Sequence, residues 1–181
     1  MTKQQLRQYI RDKKREYSPS QLEAFTLPIM ERILSHPRVV YADSMLLYHS
    51  LPDEVSTRQL LRTLTMQGKR ILLPHVVSDT EMTLHPYTCD ADLAVGAYGI
   101  LEPCTPPINP LSYLSAPTAV SIIPGMAFSA DGYRLGRGKG YYDRLLTSNH
   151  TYLIGICYPF QIIDYVPHDE HDIRMHEVIW Q

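Results

Sequence analysis

The chain has 181 residues, with 17 Lys and Arg against 19 Asp and Glu, a formal net charge of -2 and three cysteines. That balance gives the chain no overall attraction to nucleic acid or an anionic membrane, so any chemistry on anions must be local. Cys89, Cys104 and Cys157 are too far apart for a metal or redox CxxC and too odd in number for a closed disulfide framework, so a reducing cytoplasm is the expected setting.

One α/β domain over residues 1–181 is the expected organisation. Met1 to Ser18 is polar and basic without an apolar signal-like run, and no stretch reaches bilayer-spanning length, so a soluble, unexported protein is expected. Thr2 and Gln5 have capping-box spacing, and Leu6, Tyr9 and Ile10 form an apolar stripe on a helix otherwise covered with Lys and Arg. Lys3 and Arg7, four apart, share one helical face, which reads first as a solvated basic surface. Ser18-Pro19 with Gln21 opens a second helix, in which Leu22, Phe25, Ile29, Met30, Ile33 and Leu34 keep helical period and Pro28 should kink or divide it.

Met45 to Tyr48 reads as a buried strand ending at His49-Ser50-Leu51-Pro52. A helix from about Ser56 to Gln67 with Gly68 as its stop follows, then a strand from Arg70 to Leu73 closed by Pro74. This rhythm predicts a mainly parallel sheet flanked by helices, a Rossmann-like sandwich, with ligands at the carboxyl ends of the strands. Glu54, just past the first strand, is then placed to meet a ligand; equally, Asp53 and Glu54 would favour a helix start electrostatically. Residues 75–117 are proline-rich and read as loops and edge strands, with a short strand at Met82 to Tyr87.

Thr118 to Ile123 is the predicted central strand, and the stretch from Pro124 to Leu145 follows it. Five of the nine glycines fall there (Gly125, Gly132, Gly136, Gly138 and Gly140), interleaved with Arg134, Arg137, Lys139 and Arg144. Glycine lets a backbone aim several N–H groups at one anion, and the basic side chains add charge and fork geometry. A Walker A loop is excluded, because Tyr133 stands where its first glycine belongs and Gly140 follows Lys139; the Gly136, Gly138, Gly140 spacing also misses the dinucleotide fingerprint. What survives is a polyphosphate cradle, with a helix predicted from Tyr141 whose N-terminus adds to anion binding. Asp143 either pairs with Arg134 or Arg144, or holds Mg²⁺ against nucleotide phosphates with Asp172 as a candidate partner. His168 and His171 superficially suggest a metal site, but no cysteine lies near and a solvated loop is expected. Tyr152 to Tyr158 and Val178 to Trp180 are the remaining predicted strands.

The run PGMAFSADGYRLGRGKGYYDR resembles the signature of the 5-formyltetrahydrofolate cyclo-ligase family, also called 5,10-methenyltetrahydrofolate synthetases. Lys3-Gln-Gln-Leu-Arg7, Pro52-Asp-Glu54-Val, Gly99-Ile-Leu-Glu-Pro103 and Pro167 to Asp172 resemble, in order, further elements of that family. The resemblance implies an α/β sandwich that closes 5-formyltetrahydrofolate to 5,10-methenyltetrahydrofolate using ATP and Mg²⁺. It implies that Arg134, Leu135, Gly136, Arg137, Gly138, Lys139, Gly140, Tyr141 and Tyr142 bind ATP together with Lys3 and Arg7. It further implies Asp143 and Asp172 at Mg²⁺ and His49, Glu54 and Tyr142 at the folate, with Arg134, Lys139 and Tyr142 as catalytic residues. A monomer acting on a small-molecule folate, mono- or polyglutamylated, is the expectation, with neither nucleic acid nor membrane as partner. Ser129 and His176 depart from the family pattern, standing where acidic residues are common. Competing readings are a non-catalytic nucleotide- or folate-binding protein, and a phosphosugar or CoA-type enzyme, which would not require Lys3 and Arg7 to reach the cradle.

Overall fold

The computed structural model describes residues 1–96, 99–147 and 151–181. Its centre is a six-stranded sheet built from β1 (Ser44–Leu46), β2 (Arg70–Val76), β3 (Met82–Tyr87), β6 (Val120–Pro124), β9 (Tyr152–Ile156) and β11 (Glu177–Ile179), in the order β11-β9-β6-β1-β2-β3. All pairings are parallel except β2 with β3, which forms the antiparallel edge.

Side chains alternate across this sheet, as a period of two requires. Met45, Ile71, Ile122 and Ile154 pack on one face under α2 (Pro19–Ser35), α3 (Pro37–Tyr41) and α4 (Arg58–Met66). Leu46, Leu72, Ile123 and Leu153 pack on the other with Leu114 of α5 (Leu111–Leu114) and Leu146 of α6 (Tyr141–Thr147). The predicted mainly parallel α/β sandwich is therefore the observed one. Among the described residues, no helix is long and apolar enough to cross a membrane.

Both predicted capping boxes form, Thr2 with Gln5 on α1 (Lys3–Arg15) and Ser18 with Gln21 on α2. Gly68, at φ +79°, follows the end of α4. Three expectations are corrected. Helix α2 runs unbroken through Pro28. Strand β2 continues past Pro74 to Val76, because β1 pairs only as far as Leu72 and no neighbour on that side needs the donor that proline lacks. Tyr9 lies outside the buried stripe of α1, which is Leu6 and Ile10.

The cradle stretch opens as a β-hairpin rather than a loop. β7 (Ala127–Ser129) pairs antiparallel with β8 (Arg134–Leu135), and β10 (Ile162–Ile163) adds in parallel. Leu6 and Ile10, fully buried, pack α1 onto this small sheet with Met126, Ala127 and Leu135. Phe128 locks it to the main sheet: a Cβ on Gly125 or Gly155 would come within 2.6 and 2.3 Å of its ring. The remaining strands, β4 (Leu93–Val95) and β5 (Leu101–Pro103), form a separate hairpin beside β2 and β3.

Candidate active site

The hairpin register sets Phe128 opposite Arg134, which fixes Arg134 beneath the glycine turn. Buried Gln161 holds the start of the stretch by donating to the carbonyls of Gly125 and Met126 at 3.0 and 2.8 Å. Arg134 is 6% exposed. Its Nη2 donates to both oxygens of Asp143 at 2.9 and 3.0 Å, its Nη1 to Pro124 O at 3.4 Å, and its Cζ lies 5.5 Å from the Tyr142 ring centroid. Arg134 Nε is buried without a hydrogen-bond partner among the described residues. Of the two pairings open to Asp143, the one with Arg134 forms.

Packing α1 on β7 and β8 carries its basic face to the turn, so Lys3 and Arg7 are not a freely solvated surface. Arg7 Nε donates to Gly136 O at 2.8 Å. Gly138 stands at φ +105°, and a Cβ there would lie 3.2 Å from Arg7 Cζ, so both backbone and space call for glycine. Lys3 Nζ meets Asp172 at 2.5 Å and Asp169 at 2.9 Å. Desolvation pulls the Lys3 ammonium down, but its bonds to the two carboxylates outweigh that and raise its pKa above the ordinary lysine value.

On the opposite side of the turn, Arg137 Nη2 donates to Asp53 at 2.8 Å and to Glu54 Oε1 at 3.0 Å. Glu54 Oε2 accepts from Leu51 N at 3.1 Å, and Lys14 reaches Asp53 at 3.1 Å. At the end of the turn Lys139 pairs with Asp79 at 2.8 Å, and Tyr141 Oη donates to Ser78 O at 2.9 Å, so the tip of the β2–β3 hairpin docks there.

Three cavities share these walls. One of about 230 Å³ is lined by Lys3, Arg7, Arg134, Leu135, Gly136, Gly138, Gly140, Asp143 and Asp172. A second, about 110 Å³, is lined by Glu54, Arg134, Gly136, Arg137, Lys139, Gly140, Tyr141, Tyr142 and Asp143. A third, about 260 Å³, has Tyr48, His49, Glu54, His75, Glu102, Tyr141 and Tyr142 in its walls. Every residue singled out in the sequence for ATP, metal or folate thus lines at least one of three adjoining cavities.

Burial, with Arg58 nearby, holds the His49 imidazole below its usual range against the pull of Asp90, so at neutral pH it is uncharged. Burial and then the Glu54 charge push the Tyr142 hydroxyl well above the ordinary tyrosine range, against Arg134, which keeps it a neutral donor. Asp143 and Asp172 share one cavity, each facing a cation; among the described residues no group of three or more His, Cys, Asp or Glu could hold a metal ion. The expected solvated loop holds for His171, which is exposed, but not for His168, which stacks on Tyr133 with centroids 3.5 Å apart. The departing residues are structural. Ser129 is buried in the hairpin, and His176 Nδ1 accepts from Leu153 N at 3.0 Å.

Sequence reasoning passed over Lys14, Asp79, His75 and Asp169. Each contacts the site only across the fold; Lys14, Asp79 and His75 sit in no motif, and Asp169 lies within Pro167 to Asp172 but carried no role. Glu102 was within a quoted motif, Gly99-Ile-Leu-Glu-Pro103, but carried no role.

The model of the 5-formyltetrahydrofolate cyclo-ligase family matches residues 1–181. The 5-formyltetrahydrofolate cyclo-ligase of Escherichia coli is 30% identical over 177 residues, covering 94% of this chain and 95% of the relative. The mouse 5-formyltetrahydrofolate cyclo-ligase is 25% identical, covering 99% and 93%. Among solved structures, the 5,10-methenyltetrahydrofolate synthetase of Aquifex aeolicus superposes with a TM-score of 0.83 at 31% identity, over 99% of this chain and 90% of that one. The Mycoplasma pneumoniae synthetase gives a TM-score of 0.78 at 26% identity, over 99% and 98%. With its whole length matched by the family model and a 30% identical relative covered almost from end to end, the chain belongs to the 5-formyltetrahydrofolate cyclo-ligase family.

Proposed function

We propose that this chain closes 5-formyltetrahydrofolate to 5,10-methenyltetrahydrofolate with ATP and Mg²⁺, releasing ADP and phosphate, as one cytoplasmic domain spanning residues 1–181 and working as a monomer. The observation that carries the reading is the juxtaposition of two kinds of cavity. One, lined by Lys3, Arg7, Arg134 and two carboxylates, suits polyphosphate; the other, walled by tyrosines and reached past Glu54, suits a flat heterocycle.

The residues present fit the groups they would hold. The unpartnered, buried Arg134 Nε is a donor waiting for an acceptor, and the Gly136 to Gly140 turn can bring backbone amides to phosphate oxygens. Asp143 and Asp172 would hold Mg²⁺, which commonly takes one or two carboxylates plus phosphate oxygens and water; when bound it neutralises phosphate charge.

A formamide oxygen is a poor leaving group. The formyl oxygen therefore takes the γ-phosphoryl group of ATP, forming an O–P bond as ADP leaves, and the product is an iminium phosphate. The neighbouring N10 then attacks the formyl carbon, phosphate departs with the C–O electron pair, and the N10 proton passes to solvent. Positioning and charge neutralisation are what the protein must supply. Arg134 and Lys139 meet the transferring charge, Lys139 by leaving Asp79. Tyr142 offers a neutral hydroxyl and an aromatic wall, while Glu54 and uncharged His49 orient the folate.

The test is incubation of purified protein with 5-formyltetrahydrofolate and Mg-ATP, following methenyl absorbance and ADP together. Equimolar methenyl product and ADP are expected. Folded protein that forms neither refutes the reading.

A further inference from the structure

We propose that Glu102 reads the pterin ring, accepting hydrogen bonds from the N3–H and 2-amino group of its 2-amino-4-oxopyrimidine edge. This deepens the folate reading above and rests on it. That edge presents two adjacent donors side by side, and a carboxylate, with two acceptor oxygens at matching separation, is the side chain that meets both at once.

Two carboxylates line the 260 Å³ cavity, Glu54 and Glu102. Glu54 is engaged at both oxygens, by Arg137 on Oε1 and by Leu51 N on Oε2. Glu102, at the centre of β5 opposite Ala94, has one charged partner among the described residues, His75, whose Nε2 lies 3.4 Å from Oε2. Its Oε1 is open. The surrounding walls are flat and apolar, from Tyr48, Pro74, Val76, Met82, Tyr141 and Tyr142, which suits a ring that is polar only at its edge.

Gly96 gives independent support. A Cβ there would lie 1.9 Å from Glu102 Oε2 and 2.5 Å from Cδ. Gly96 is not among the glycines in the left-handed region, so its backbone does not call for glycine. What the missing side chain does is leave room for this carboxylate, whose Oε2 His75 also meets. Among the described residues, no ion pair with Arg or Lys uses this acidic group.

The test is calorimetric titration of wild type, Glu102→Gln and Gly96→Ala with 5-formyltetrahydrofolate, its 2-desamino analogue and ADP. Glu102→Gln should bind the folate about 10- to 100-fold more weakly, the loss expected for a charged hydrogen-bonding partner, with ADP affinity kept within about twofold. It should also lose most of the wild-type preference for the folate over the analogue. Gly96→Ala, which retains the carboxylate but pushes it aside, should lose folate affinity in the same direction and melt close to wild type. If Glu102→Gln binds and discriminates as wild type does while wild type turns the folate over, the Glu102 assignment alone falls. If wild type binds ADP but no folate, the assignment falls together with the cyclo-ligase reading. If Glu102→Gln fails to fold, Gly96→Ala decides: unchanged folate affinity overturns the proposal.

Discussion

Arg134→Ala removes the link between the β7–β8 hairpin and the start of α6. It deletes both Nη2 bonds to Asp143 and leaves that carboxylate with only a long bond, 3.4 Å, from Ile173 N. Stranding one member of a buried pair costs about 3–5 kcal/mol. The Arg134 side chain is 4% exposed but that of Asp143 is 20% exposed, so solvent relieves part of the penalty and about 3 kcal/mol is expected. For a chain of this size that lowers Tm by about 6–12 °C. Because most of the loss comes from the stranded charge, the Arg134→Ala, Asp143→Asn double variant should regain about 1–2 kcal/mol over Arg134→Ala. ATP affinity should fall by about 1–3 kcal/mol in Arg134→Ala, since the buried Nε and its charge go with the side chain. Urea unfolding followed by circular dichroism and calorimetric ATP titration measure the two effects. A double variant no more stable than the single one would refute the stranded-charge account, and unchanged ATP affinity would remove Arg134 from the site.

Glu54→Gln should leave ATP affinity within about threefold while lowering kcat/KM for the folate by about 1.5–3 kcal/mol, read from steady-state kinetics; equal turnover would leave Glu54 only its structural bonds to Arg137 and Leu51. Asp53 supplies a pH signature. Burial alone would raise its carboxyl, but Lys14 and Arg137 outweigh that and hold it below its ordinary value of 3.8. The unfolded chain therefore binds this proton more tightly, so the contribution is present above about pH 4 and is lost as pH falls through the folded value. The stability gap between wild type and Asp53→Asn should accordingly be widest near neutrality and narrow in acid, and a gap constant from about pH 6 to about pH 3 would contradict this linkage. Gly138→Ala should cost about 1–2 kcal/mol in thermal unfolding through its left-handed backbone, and it should weaken ATP binding by displacing Arg7; a variant as stable as wild type would show that the turn relaxes freely.

The signals that could be read along the chain are those whose physics is local. Thr2 with Gln5 and Ser18 with Gln21 satisfy orphan amides within one turn, and Met82 to Tyr87 carries its strand character in its own run. The alternation of glycine and positive charge from Gly136 to Gly140 is equally local, because backbone freedom and charge are properties of the residues themselves. β7, β8 and β10 were not readable: with two or three residues each they have no room for a period, and they exist because they pair with one another and bury Leu6 and Ile10 of α1. Nor could Pro74 reveal that it belonged to a strand, since that depends on where β1 stops.

By itself, then, the sequence determined the helix starts, the parallel sheet and a glycine-rich turn interleaved with basic residues. Only the tertiary structure decided what that turn would face. Lys3 meets Asp172 across 169 residues, Arg137 meets Glu54 across 83, and Glu102 comes into one cavity with Tyr142. A basic helical face or a lone glutamate looks the same in sequence whether solvent or a site lies in front of it. The packing of Leu6 and Ile10 against the hairpin, and of Phe128 between Gly125 and Gly155, sets which it is, and those contacts join parts of the chain that no local pattern connects.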